Sequence, residues 1–193
     1  ITDIPKMENA EVADLMARFE PLVKHFNRYL TIGGFPELAL SDDDLYAQRM
    51  LREDVVDKVI KRDVLTLFKV RSPLLMEKLF LYLCMNSTEI FSATTAAKEL
   101  DNISPNTIES YVDALVKSNL IYMAYPIAVG SKSVLKGRPK IYIADAAIRN
   151  AVLMVDDVLS DERELGLLIE TTVYKHLVSF YQGTGAQLGY YRK

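Results

Sequence analysis

Residues 104–122 read SPNTIESYVDALVKSNLIY, and this stretch decides the fold of the chain. Ser104 is a typical helix-capping residue, and Pro105 follows at the first helical position, where a missing amide hydrogen costs nothing. Ile103 is placed to pack against Ile108 across this cap. The side chains that share one helical face are Ile108, Tyr111, Val112, Leu115 and Val116. The stretch therefore predicts a helix that is buried along one side.

The segments around this helix follow the order of a winged helix. Ser72 and Pro73 begin a helix through SPLLMEKLFLYLCMN, and Ser92 begins a short helix through SATTAAKEL. After Asn119, two β-rich runs, LIYMAYPIAV and KIYIAD, are joined by the polar segment GSKSVLKGRP. Three helices followed by a two-stranded ribbon with a long polar tip are typical of a winged helix-turn-helix.

Helical patterns flank this unit on both sides. Apolar residues at spacings of three and four predict a helix over residues 9–30, which Gly33-Gly34 end. Ser41 is predicted to cap a long helix that continues to about Phe68. Beyond the ribbon, Asp145 caps a short helix, LGLLIETTVYKHLVSFY forms a long one, and QLGYYRK begins an unpaired strand. The fold class is therefore mainly α with a small β ribbon.

Composition limits the possible functions. The chain has 193 residues, half of them hydrophobic, and its net charge of −3 gives no global signal for nucleic acid, so any such contact must be local. The single cysteine, Cys84, lies in the apolar run LFLYLCM and is interpreted as a buried structural thiol. No internal disulfide can form, which favours a cytoplasmic location, and no apolar run is long enough to span a membrane.

The outward face of the central helix is a poor surface for DNA. It carries Asn106, Glu109, Ser110, Asp113 and Lys117, so two acids oppose one lysine. Only Asn106 has a base-reading side chain near the helix start. We therefore expect this helix mainly to build the fold, with Asn106 as its one candidate base contact.

The predicted wing carries the local positive charge. Lys132, Lys136, Arg138 and Lys140 lie on it with no acid between them. Such a tip can contact phosphates without reading bases, which predicts weak, non-specific DNA binding. The alternative is a solvated hairpin whose lysines only protect a strand edge, and the sequence leaves both interpretations open.

No catalytic residue can be predicted from the chain. Gly33-Gly34 lacks the Lys-Ser/Thr pair of a phosphate-binding loop, and no Cys/His metal spacing occurs. Lys61, Arg62 and Asp63 are interpreted as a solvated helix face rather than a site. His25 and His176 are interpreted as partly buried structural residues. Glu170 is either a helix-surface residue or one acid of an incomplete metal site.

Several short motifs recur in a recognisable order. The most specific is YLTIGGFPE at residues 29–37, and the long helix after it ends near Arg62-Asp63. The weaker matches are T-x-x-x-Y-x-x-x-L (Thr107, Tyr111, Leu115), K-x-Y-x-x-D (Lys140, Tyr142, Asp145), E-x-x-V-Y (residues 170–174) and an ending like Y-Y-x-R (Tyr190, Tyr191, Arg192, with the first Tyr one place later). This series resembles the uncharacterised region that follows the P-loop module in a group of prokaryotic predicted AAA-type ATPases.

The resemblance implies a division of the chain and of its parent protein. It implies a helical connector over residues 1–70, a winged-helix domain over 71–145, and the truncated start of a restriction-endonuclease-like α/β domain over 146–193. The ATPase module, with its ATP and Mg²⁺, would lie upstream, and the first and last residues of the chain, Ile1 and the ending GYYRK, look like cut ends.

The resemblance leads to a functional expectation. We expect a non-catalytic C-terminal segment of an AAA-type ATPase, without a cofactor of its own, whose wing contacts DNA non-specifically. One alternative is a protein–protein docking module whose acidic outward face, from Asn106 to Lys117, meets a basic partner. Another is a free-standing winged-helix transcription regulator.

Overall fold

The computed structural model describes residues 7–68, 70–127, 137–155 and 157–191 of the chain. These residues are mainly helical with a small sheet, which confirms the predicted class. The first helices are α1 (Asn9–Phe19), α2 (Val23–Ile32) and α3 (Pro36–Ala39), with a 3-10 turn over Glu20–Leu22 between α1 and α2. The predicted apolar face of α1 and α2 is present, but Phe19, Leu22 and Phe26 on it are about half exposed.

A long helical run follows. It passes from α4 (Asp44–Arg52) through a wider, π-type stretch (Glu53–Val64) into α5 (Leu65–Leu67), so the predicted extent is confirmed. The predicted cap is wrong. Asp43, not Ser41, accepts the capping hydrogen bond, from the backbone N of Tyr46 at 2.9 Å. The Ser41 hydroxyl instead accepts a hydrogen bond from the Asp43 backbone N, which places Asp43 at the start of the helix.

The central helices begin where the sequence predicts. They are α6 (Pro73–Met85), α7 (Ala93–Glu99) and α8 (Pro105–Lys117). Ser72 and Ser92 accept capping bonds from Leu75 N and Thr95 N at 3.3 and 3.4 Å, which confirms both caps. Ser104 stands at the cap position of α8, but its side chain makes no capping bond. The inward stripe of α8 is buried as predicted, from Ile108 to Leu115.

The sheet contains β1 (Ile121–Pro126), β2 (Lys140–Ile143) and β3 (Gly189–Tyr190) in the order β2-β1-β3. β1 and β2 form the predicted antiparallel ribbon, with Tyr122 opposite Tyr142. The expectation that the last strand is unpaired is wrong, because β3 lies parallel to β1 with Tyr125 opposite Gly189. Parallel pairing of distant strands leaves no local pattern in the sequence, so the pairing could not be read from it.

Two further helices complete the described chain. Asp145 caps α9 (Ala146–Leu153) as predicted, through a bond from Ala147 N at 2.9 Å. α10 (Glu162–Tyr181) begins three residues before the predicted run, because Asp161 accepts bonds from Arg163 N at 2.8 Å and Glu164 N at 3.1 Å.

One apolar core joins most of these elements. It contains residues of the long helical run, of α6 to α8, of β1 and β2, and of α9, among them Val64, Phe80, Ile121 and Ala147. The predicted domain boundaries lie between residues 70 and 71 and between residues 145 and 146. This core includes residues from both sides of each boundary, and the predicted domain division stays a prediction. Within the described residues, no helix combines the length and apolar character needed to cross a membrane.

Candidate functional site

The turn after α2 depends on Gly33, the first of its two glycines. Gly33 has φ 76° and ψ −171°, a conformation that only glycine adopts without strain. A Cβ at this position would lie 2.9 Å from Asp145 Oδ1 and 2.9 Å from Ala147 Cβ. The G-G-F-P-E motif therefore brings the end of α2 against the start of α9, and the absence of a side chain at Gly33 leaves room for those of Asp145 and Ala147.

Lys175 of α10 reaches into the same place. Its Nζ donates to the Asp145 carboxylate and, at 3.1 Å, to the Tyr29 hydroxyl. It also lies 5.4 Å from the centre of the Tyr29 ring. The Tyr29 hydroxyl is 3.1 Å from Nε2 of His176. We call Tyr29, Asp145, Lys175 and His176 the Lys175 cluster.

The charges of this cluster support one another. Burial alone would lower the pKa of Lys175, but the hydrogen bonds and charge of Asp145, together with Tyr29, outweigh it and raise the pKa. Asp145 is buried and would be an unpaired charge without Lys175. The ion pair is thus a fixed contact between α10 and the start of α9, rather than a poised acid or base.

A second cluster lies beside the first, where Glu170 and Tyr174 precede Lys175 on α10. Oε1 of Glu170 accepts hydrogen bonds from the Tyr142 hydroxyl at 2.8 Å and from Lys140 Nζ at 3.0 Å. The Tyr142 and Tyr174 rings stack with their centres 4.1 Å apart and their planes 13° apart. Burial, and then the bond to Glu170, raises the pKa of Tyr142. Lys140, Tyr142, Glu170 and Tyr174 form the Glu170 cluster, which fixes β2 to α10.

A buried arginine adds a third link, which the sequence analysis missed. Arg149 of α9 donates from Nε to the Cys84 carbonyl at 3.0 Å. Its two terminal nitrogens donate to Glu164 of α10 at 2.6 and 3.3 Å. The next residue, Asn150, donates to the Leu30 carbonyl at 3.0 Å. The signal in the sequence was the polar pair Arg-Asn inside the otherwise apolar helix AAIRNAVL.

The predicted DNA contacts have different environments. Asn106 is exposed on α8, and Arg138 is exposed two residues before β2. Lys140 is held by Glu170, so part of its charge is neutralised within the protein. Lys132 and Lys136 lie outside the described residues. All five remain predictions; of the described ones, Arg138 and Lys140 are two residues apart at the start of β2, whereas Asn106 lies on α8.

The outward face of α8 borders a cleft instead of open solvent alone. Glu109 and Asp113 line this cleft, and α10 residues such as Val178 line it as well. Asp113 accepts from Lys117 at 2.6 Å. The acids expected on this face are thus present, and both are exposed beside the cleft.

The remaining residues singled out from the sequence are a buried thiol, a surface ion pair and two exposed histidines. Cys84 is fully buried, as predicted, and burial raises its pKa far above the ordinary thiol value. Arg62 and Asp63 pair with each other on the surface at 2.8 Å. His25 and His176 are exposed, not partly buried as predicted. Across the ranges that the structure describes, no three His, Cys, Asp or Glu side chains come together as a metal site requires.

Comparison with known proteins places the chain in a family. Residues 23–159 match the family described as "Domain of unknown function (DUF8612)". Two similar proteins come from Methanocaldococcus jannaschii. The uncharacterized protein MJ1637 is 30% identical over 88% of this chain and 35% of its own length. The uncharacterized protein MJ1544 is 25% identical over 81% of this chain and 34% of its own length.

These matches cover most of this chain but only part of each relative. The chain spans about a third of the length of the curated relatives it matches. No solved structure matches it. The family match runs from α2 to the loop before α10, so it contains the glycine turn, the ribbon and α9. The chain therefore belongs to the DUF8612 family of domains of unknown function.

Proposed function

We propose that this chain is a non-catalytic connecting segment of a larger P-loop ATPase, in which a winged-helix unit is held between a helical connector and α10. In this role the segment turns over neither ATP nor DNA. It holds the parts of the parent protein in position relative to one another. Its wing contacts DNA through the phosphate backbone.

One observation carries the proposal. Motif residues from three distant parts of the sequence meet in two adjoining clusters, where Lys175 binds Asp145 and Tyr29 while Glu170 binds Tyr142. In each cluster, charged side chains pair with residues of another element of the protein. That is the arrangement expected of a structural joint, because the buried charge of Asp145 is neutralised by a residue of another element.

The helical order supports the winged-helix interpretation. α6, α7 and α8 precede the β1–β2 ribbon, and α8 packs one face into the core. On its other face Glu109 and Asp113 would oppose DNA phosphates. We therefore propose that α8 does not enter a DNA groove.

The wing remains the better candidate for a DNA contact. Arg138 is exposed, and Lys132 and Lys136 precede it in a segment without acids. Because Lys140 is paired with Glu170, three basic side chains are left to neutralise phosphates. Contacts of this kind give affinity without sequence preference.

Fluorescence anisotropy with two labelled duplexes of unrelated sequence tests the wing. We expect weak binding, equal for both, with a slope of log K against log salt no steeper than about −2.7, the value for three phosphates. Changing Lys132, Lys136 and Arg138 to Ala should remove most of the binding. A charge-matched control changes Lys24, Lys78 and Lys98 to Ala and should leave most of it.

Two results would reject the wing proposal. One is an absence of binding at low salt. The other is a cost of about 1–3 kcal/mol at one DNA sequence for Asn106→Ala, the size of a lost base contact, while the wing changes have no effect.

The surrounding gene tests the parent protein separately. We expect the sequence upstream to encode Gly-x-x-x-x-Gly-Lys-Ser/Thr, and the sequence downstream to encode further strands with acidic residues. A stop codon directly after Lys193 would contradict the connecting role.

A further inference from the structure

The long helix α10 is apolar on two opposite sides. One side packs into the protein through residues such as Leu168, which is fully buried. The other side carries a glycine and four large apolar residues, and all five stay exposed in the part of the chain that the structure describes. We call them the α10 stripe: Gly166, Ile169, Val173, Leu177 and Phe180. A helix that is apolar on both sides is typically covered on both, so the stripe indicates a contact surface.

The α10 stripe is narrow and straight. At 3.6 residues per turn, its five positions lie within about 80° of one another around the helix axis and extend over about 21 Å of its length. Their spacings of three, four, four and three residues are those of the seam along which two helices pack as a coiled coil. Val173 is 52% exposed and Phe180 is 64% exposed, so the side chains of this seam are accessible to another helix.

The order of the residues makes the stripe complementary to itself. Gly166 and Phe180 lie seven residues before and after Val173, while Ile169 and Leu177 lie four residues before and after it. Two copies of α10 that pack antiparallel about a two-fold axis at Val173 therefore place Phe180 of one copy beside Gly166 of the other. A Cβ at Gly166 would meet no atom within 4 Å, which leaves space for the aromatic ring. A large residue thus meets a small one, as in well-packed seams, and a surface for an unrelated protein needs no such symmetry.

The charges beside the stripe do not oppose this pairing. Between Gly166 and Phe180, the charged side chains of α10 are Glu170 and Lys175. Glu170 pairs with Lys140, and Lys175 pairs with Asp145, so both are neutralised within a single copy of the chain. Two copies can therefore approach along α10 without bringing unpaired like charges of this helix together.

We propose that the α10 stripe pairs two copies of this chain, antiparallel to each other and about a two-fold axis at Val173. The contact consists of one narrow seam on each copy, which is small for a specific interface, so the dimer is weak and forms as the protein concentration rises. This pairing goes beyond the proposed function, and it depends neither on a parent ATPase nor on a DNA contact by the wing.

Sedimentation of the intact 193-residue chain tests the pairing. We expect a monomer–dimer equilibrium between about 1 µM and about 1 mM protein. Val173→Lys should weaken the dimer by about tenfold or more, because two like charges then meet at the two-fold axis. Val23→Lys is the matched control, since Val23 lies on α2, is 51% exposed and plays no part in the stripe. Both variants should keep the circular dichroism spectrum of the original chain, because both positions are half exposed.

Single cysteine substitutions test the orientation. In the antiparallel pair, position 173 lies opposite itself, so the Val173→Cys variant should form a disulfide-linked dimer under mild oxidation. The two copies of position 180 lie about 21 Å apart along the helices, so the Phe180→Cys variant should not. The native Cys84 is fully buried and does not compete.

Three results would overturn the proposal. A chain that stays monomeric over the whole concentration range would mean that the stripe does not bind a second copy. A dimer that responds equally to Val173→Lys and Val23→Lys would have its contact elsewhere. Cross-linking of the Phe180→Cys variant as readily as of the Val173→Cys variant would contradict the antiparallel arrangement.

Discussion

At the scale of the residue, Gly33 combines a left-handed backbone with a close approach to Asp145 and Ala147. Gly33→Ala should lower the free energy of unfolding by about 2–4 kcal/mol, since it adds backbone strain to a steric overlap. Urea unfolding followed by circular dichroism measures this cost.

The same chain offers a matched control for this change. Gly166 lies within α10, and a Cβ there would meet no atom within 4 Å. Gly166→Ala should therefore raise stability by up to about 1 kcal/mol through helix propensity. If both substitutions had the same effect, the tight approach at Gly33 would be ruled out.

Two buried tyrosines predict a loss of stability at high pH. Burial, and then the bond to Glu170, raises the pKa of Tyr142, and burial raises the pKa of Tyr174. Both phenols therefore ionise more easily in the unfolded chain. The stability they contribute is complete below the ordinary pKa of 10.0 and is lost as the pH rises through the folded pKa.

Tyr142→Phe tests this dependence. The variant should lose about 1 kcal/mol at neutral pH, the value of one hydrogen bond, and its stability should fall less steeply above pH 10. Urea unfolding at a series of pH values compares the two proteins. An equally steep fall in the variant would show that Tyr142 is not responsible.

At the scale of the element, α10 has two different sides. Leu168 is completely buried on one side, whereas Leu177 is 40% exposed on another. Leu168→Ala should cost about 2–5 kcal/mol, because it leaves a cavity. Leu177→Ala should cost less than about 1 kcal/mol, as surface changes do. Equal costs in urea unfolding would mean that the helix is rotated relative to the structure.

Local signals explain how much of the elements could be predicted. Ser72, Ser92 and Asp145 were identified as caps because a cap depends on residues only a few positions apart. The apolar period also predicted the helical pattern of α1 and α2. It could not reveal that Phe19 and Phe26 stay exposed, because a period shows which residues share a face and not what covers it.

The site was less predictable, because its contacts join residues that are far apart in the sequence. The motif residues Tyr29, Asp145 and Glu170 were all singled out, but Lys175 was not. Its bond to Asp145 joins positions 30 residues apart, and no spacing rule predicts such a pair. The link between Arg149 and Glu164 was missed for this reason as well.

At the scale of the whole molecule, α2 lies against the later helices α9 and α10, held by the Lys175 contacts and by an apolar cluster of Leu30, Ala146, Val158 and Leu168. Lys175 joins α10 to Tyr29 of α2 and to Asp145 at the start of α9. If the motif residues serve to hold these helices together, a substitution in α10 that removes the Lys175 contacts must also loosen α2 and α9. An ordinary surface ion pair has no such reach.

Hydrogen exchange of Lys175→Met tests this central claim most directly. The substitution leaves the buried Asp145 carboxylate unpaired, so amides of α2, α9 and α10 should exchange faster together, by on the order of tenfold or more. The control, Lys78→Met, breaks the exposed Lys78–Asp101 pair and should leave these amides unchanged. Faster exchange confined to α10, with α2 and α9 matching the control, would contradict the account.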